Sequence, residues 1–338
     1  MSSYEQLGVV ASRSGILVFI DTGCLNIWSH DRPPLMPYGV LSDELTAKAN
    51  SSVDLRIIGV DAERAGRMLD MSWHPVYVYD QPREHSELES KIEKLVREHK
   101  LDARFEVTDP RITHRQRVEL AIEFGKGAGE FQFHGMRAVA VSGVPTLRPL
   151  RILGTRSSEP HADRWRQVSV ECRPDVGIAH SEKAGDVAVD YARILVADID
   201  ALGLWKHEEA LDGLADYVFW GRDAAQVARA FNAPRLSDNE FGWLNVPVAQ
   251  AAEWGTAVEN YRDEGSLKMA ADFRPHSHHW QVMKPTRETG TESGTTEIHG
   301  MKVCNFMTTW GDGCFEVYRD LDDSGQLVQI RVRLEPEG

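Results

Sequence analysis

Positive charge is scarce in this chain: 38 lysines and arginines stand against 52 aspartates and glutamates, a net charge of −14. Such a field repels phosphate backbones and anionic lipid, and no run of lysine and arginine offsets it. Neither nucleic acid nor a membrane surface is therefore the expected partner. Long apolar runs are missing too. The longest early one, 16–20, is far too short to span a bilayer. The opening residues, Met1, Ser2, Ser3, Tyr4, Glu5 and Gln6, carry neither the charged nor the apolar region of a signal peptide. Cysteine is limited to Cys24, Cys172, Cys304 and Cys314, scattered without close pairing, which fits reduced thiols in the cytoplasm rather than a disulfide framework.

What is present describes a folded protein, since 42% hydrophobic residues with 27% charged ones is the balance of a packed domain, not of disorder. A length of 338 residues is long for one core, so two domains or two fused half-units are expected. Residues 7–10 and 16–20 flank Ser12, Arg13, Ser14 and Gly15 and read as a hairpin. After a loop with Pro33, Pro34 and Pro37, strands and helices alternate from Asp54 to residue 141, with a long strand expected over 131–141. That alternation predicts a mixed, partly parallel α/β sheet. Pro145, Pro149 and Pro160 with Ser157 and Ser158 mark a boundary, giving an N-terminal α/β half-unit over 1–150 and a C-terminal one over 151–338. In the second half strands are expected over 167–171, 187–196 and 217–220, with helices near Asp200, from Asp223 and from Pro247.

An internal echo supports a duplication. Gly8, Ser12 and Asp21 recur as Gly177, Ser181 and Asp190, an offset of 169 (190 − 21). Asp54, Gly59, Asp61, Ala62 and Arg67 recur as Asp216, Gly221, Asp223, Ala224 and Arg229, an offset of 162 (216 − 54). The expected fold is thus α/β of mixed type: two duplicated half-units, each a sheet with flanking helices, ending in an antiparallel meander.

That meander is the most legible stretch. Residues 303–307 and 314–318 flank a tight turn of Trp310, Gly311, Asp312 and Gly313, a second turn covers 322–325, and Val328, Ile330, Val332 and Leu334 alternate after it. With these turns the sequence resembles the bacterial domain-of-unknown-function family 4241, whose members end in a Trp-Gly-Asp-Gly turn, an aromatic-rich strand, a second turn and an apolar strand. Val189, Asp190, Tyr191 and Ala192 are similar to that family's Val-Asp-Ala-Gly step, with Asp198 at its downstream aspartate. Ala192 departs from the family's glycine, and Leu334, Glu335 and Pro336 depart from its terminal Asp-Phe. The resemblance covers roughly the second half and implies a fold; it brings no activity with it.

Chemistry has two candidate locations. On a strand, His276 and His278 would point to one face and share a divalent metal such as zinc or iron. A third ligand would come from His30, His207, His299 or Asp312. The contiguous Trp28, Ser29, His30 and Asp31 hold triad residue types, but neighbours in sequence do not converge as a triad must, and a Trp-anchored loop is the reading. The catalytic candidates are therefore His276, His278, Asp312 and Trp310. Trp28, His30, Trp73 and Trp310, at turns where an aromatic can meet a partner, are the binding candidates. Two functions follow from these residues. One is an intracellular protein-binding module whose acidic, aromatic-bearing surface engages a basic protein, for instance as the immunity-type partner of a toxin. The other is a metal-dependent or acid/base enzyme with His276 and His278 facing Asp312. No cofactor beyond that divalent metal is implied.

Overall fold

The computed structural model describes residues 4–28, 55–68, 77–78, 85–107, 113–133 and 136–336. Its elements come in two runs of the same order. The first is β1 (Tyr4–Ala11), β2 (Ile16–Asp21), a 3₁₀ turn (Thr22–Ile27), β3 (Leu55–Ile58), α1 (Ala62–Met68), β4 (Tyr77–Val78), α2 (His85–His99), β5 (Arg104–Val107), α3 (His114–Phe124), β6 (Ala128–Phe133), β7 (Met136–Ser142), β8 (Pro149–Arg156) and β9 (Trp165–Glu171). The second is β10 (His180–Val189), β11 (Arg193–Asp198), α4 (Ile199–Gly203), β12 (Leu214–Trp220), α5 (Ala224–Phe231), β13 (Glu240–Pro247), α6 (Val248–Glu264), β14 (Ala270–Pro275), α7 (His278–Glu288), β15 (Ser293–Ile298), β16 (Met301–Met307), β17 (Gly313–Leu321) and β18 (Leu327–Arg333). The mixed α/β class and the repeated order of elements expected from the sequence are both present.

Strand direction differs from expectation. Alternation of strand and helix does not fix the course of the returning strand, and every ladder between these strands is antiparallel, including β3 with β4 and β5 and β12 with β13 and β14. Two six-stranded sheets run β1-β8-β9-β18-β17-β10 and β15-β16-β11-β2-β7-β6. They share one apolar core, to which Leu17, Phe19, Val139 and Val141 come from one sheet and Ile152, Trp165, Ile330 and Val332 from the other. The expected hairpin at residues 12–15 is instead an arch: β1 pairs with β8, while β2 crosses to the facing sheet and pairs with β7 and β11. The Trp310 turn is an arch of the same kind, carrying the chain from β16 to β17, whereas residues 322–325 do close the β17–β18 hairpin. The long strand expected over 131–141 is a hairpin of β6 and β7.

The duplication has a local twofold centre at the facing pair Phe19 and Val196 on β2 and β11. Across it the repeat offset is 177 (196 − 19), which pairs Asp21 with Asp198 and Gly8 with Gly185. The offset of 169 is thereby corrected. Two carboxylates carry the symmetry. Asp21 accepts from the Asp190 and Tyr191 amides at 2.6 and 2.9 Å, and Asp198 accepts from the Arg13 and Ser14 amides at 2.8 and 3.0 Å. Each therefore closes the arch of the other half. Gly8 and Gly185 both sit at bulges where a Cβ would run into the facing sheet, at Thr295 in one case and Glu130 in the other.

The offset of 162 is visible as repeated geometry. Gly59 and Gly221 share φ +124, and Asp61 and Asp223 accept from the Asp102 and Lys268 amides at 2.9 and 2.7 Å. The compact units do not follow a cut at 150/151, because β8 and β9 lie in the same sheet as β1. Residues 1–204 with 291–338 form one unit and 205–290 the other.

Candidate functional site

Within residues 205–290, β12 is the central strand. Its Ala215, Tyr217 and Phe219 form one buried face under α5 and α6, and Gly255 lets α6 approach, since a Cβ there would stand 2.8 Å from the Tyr217 ring. The alternate residue Asp216 is also buried. β14 runs antiparallel beside β12 and stops at Pro275. The Ser277 hydroxyl then accepts from the Trp280 amide at 3.2 Å and caps α7, so His278 is the first helical residue. The expected His-x-His strand is therefore corrected. Pro275 ends the strand before His276 and Ser277 caps a helix between the two imidazoles, so His276 and His278 do not share a strand face.

Three imidazoles from this corner fasten one segment, 206–213. His276 places Nδ1 2.9 Å from Asp212 and Nε2 3.2 Å from Asp216, while its carbonyl accepts from the Leu211 amide at 2.9 Å. His278 Nδ1 accepts from the Lys206 amide at 2.9 Å, and the His278 amide donates to the Lys206 carbonyl at 3.0 Å. His279 stacks on His207 at 4.1 Å, and the His278 ring lies 5.9 Å from that of Trp205. Held this way, the segment turns Glu208, Glu209, Leu211 and Asp212 outward. Leu211 is 45% exposed, and the Glu209 and Asp212 side chains are 69% and 51% exposed.

Burial opposes the charged form of His276, but the bonds to Asp212 and Asp216 outweigh it and raise its pKa above the ordinary 6.5. The hydrogen bond from His276 in turn leads the causes that hold the Asp212 carboxyl below its usual range. The sign follows from linkage. His276 contributes stability fully below pH 6.5 and loses it as pH rises through the higher folded value. A proton NMR titration of the His276 ring should give a midpoint above 6.5 in the wild type and a lower one in Asp216→Asn. An unchanged midpoint would separate the imidazole from that carboxylate.

The other candidates are employed locally. Asp312 accepts from the Ala192 amide at 2.9 Å. Trp310 donates from Nε1 to the Trp165 carbonyl at 2.7 Å and lies under the Arg164 guanidinium at 4.7 Å. Trp28 packs its ring 5.0 Å from that of His114 and 5.8 Å from that of Phe133, while Ser29, His30 and Asp31 lie outside the described residues. Trp73 lies outside them too. Among the described residues no group of three or more His, Cys, Asp or Glu side chains is placed to hold a metal ion. Burial pushes the thiols of Cys24, Cys172 and Cys304 up to about 12, which favours the protonated form of each. Among the described residues no helix is long and apolar enough to cross a membrane. Sequence reasoning missed segment 206–213, although Glu208, Glu209 and Asp212 around Leu211 were there as a signal. Comparison with protein-family models, curated proteins and solved structures gave no match.

Proposed function

We propose that this chain is a protein-binding module that engages a basic partner through segment 206–213, acting in the cytoplasm and resembling family 4241 in its closing strands. The observation that carries the reading is the exposed Leu211 set among Glu208, Glu209 and Asp212 on a segment fastened by three histidines. An exposed apolar side chain ringed by charge gives a partner both a desolvated anchor and electrostatic steering. Fastening matters because a segment already ordered loses little conformational entropy on binding. A basic toxin, with this chain as its immunity-type antagonist, is a partner of that chemistry. Acid/base catalysis by His276 draws no support from the geometry, since both ring nitrogens already face carboxylates.

The test immobilises the wild type and a Glu208→Lys, Glu209→Lys variant and passes extract of the source cells over both. The expected result is a positively charged protein retained by the wild type at low salt, released at high salt, and not retained by the variant. Equal retention by both, or none by either, would overturn the reading.

A further inference from the structure

Against the overall negative charge, one cavity has three cations as its charged lining residues. Arg13 on the β1–β2 arch, Arg148 just before β8 and Lys302 on β16 line a space of about 210 Å³ whose remaining wall includes Leu147, Pro149 and Met301; among the described residues no carboxylate lines it. Arg13 donates from Nη2 to the His299 carbonyl at 3.0 Å, and Arg148 donates from Nη2 to the Cys172 carbonyl. These bonds fix the guanidiniums without neutralising them, and among the described residues none of the three cations has a carboxylate within ion-pair distance. Leu147 stands 85% exposed at φ 59, a left-handed conformation uncommon for such a side chain, and keeps an apolar surface at the rim.

The other half shows that the fold does not demand this arrangement. By the offsets of 177 and 165 (304 − 139, from the paired positions Cys304 and Val139), Arg13 corresponds to Asp190, Leu147 to Asp312 and Lys302 to Arg137. That corner carries charges of both signs: Arg137 lies 3.5 Å from Asp186, and Asp312 accepts from the Ala192 amide. Only the first corner leaves three like charges together, an arrangement relieved by a multiply charged anion.

We infer that this cavity binds a small phosphomonoester, with the phosphoryl group on Arg13, Arg148 and Lys302 and the organic part over Leu147, Pro149 and Met301. A dianion with three acceptor oxygens matches two guanidinium forks and an ammonium better than a single carboxylate does. The inference uses no residue of 205–290 and stands apart from the protein-binding reading.

Isothermal titration of the full chain with glycerol 3-phosphate, inorganic phosphate and glycerol tests it, using the wild type and an Arg148→Gln, Lys302→Gln variant whose fold is checked by circular dichroism. The expected order is glycerol 3-phosphate tighter than phosphate, with no binding of glycerol. The variant should bind the ester ~10- to 100-fold more weakly. If the double variant does not fold, Lys302→Gln alone should still weaken binding. Absence of saturable binding by either phosphate probe, inorganic phosphate binding without the ester, or unchanged affinity in a folded variant would overturn it.

Discussion

Asp198→Ala should unfold at markedly lower urea than the wild type, a loss of about 3–5 kcal/mol. The carboxylate is fully buried, and one oxygen accepts from the Ser12 and Ser14 hydroxyls at 2.6 and 2.8 Å and from the Arg13 and Ser14 amides, while the other accepts from the Asp200 amide at 2.8 Å. Alanine leaves that set of donors without their acceptor, and an unmet buried donor such as the Ser12 hydroxyl costs more than its bond contributes when made. The partner substitution Asp21→Ala should cost less, about 2–3 kcal/mol. Asp21 accepts three amides, from Gly23, Asp190 and Tyr191, and desolvation outweighs them and raises its pKa, so the ionised carboxylate is less well compensated there. Equilibrium unfolding of the two variants checks both size and order. Asp198→Ala within about 1 kcal/mol of wild type would mean the arch holds without its carboxylate.

The same pair of aspartates shows why the repeat was only partly legible. The Gly59 and Gly221 set could be read because a turn at φ +124 followed by an amide-accepting aspartate leaves little choice of residue. Strands β1 and β10 repeat at the offset of 177, where Gly8, Val10 and Ala11 recur as Gly185, Val187 and Ala188, and an offset of 169 passes over that match. Among the positions used to seek the repeat there, only Gly8 and Asp21 keep their identity, as Gly185 and Asp198. Turns were legible as turns but not as connections, because Ser12–Gly15 or Trp310–Gly313 is built alike whether the next strand pairs with the last or crosses to a facing sheet. That choice is made by distant residues. The His276–His278 corner could have been read: Pro275 and Ser277 are strand-end and helix-cap residues side by side. The cation-lined cavity could not, since Arg13, Arg148 and Lys302 are separated by more than a hundred residues each and meet only through the arches.

Trp165→Ala should cost about 3–5 kcal/mol, and Trp310→Ala only about 1–2 kcal/mol, although the sequence draws the eye to Trp310. The Trp165 side chain is wholly buried between the six-stranded sheets, so close to β8 that a Cβ on Gly154 would fall 2.7 Å from its ring, with the Arg156 guanidinium 3.4 Å from the ring centre. Its removal opens a cavity that paired strands on both sides hold open. Trp310 is only partly buried, and its indole donates to the backbone carbonyl of Trp165, a bond whose acceptor survives in Trp165→Ala. The two variants thus separate core packing from anchoring of the turn. Urea unfolding followed by far-UV circular dichroism, which does not depend on the lost indole fluorescence, should show the larger midpoint shift for Trp165→Ala at an unchanged slope. Equal shifts would mean that the arch at Trp310 holds the two sheets together, and not that the packed sheets hold the arch.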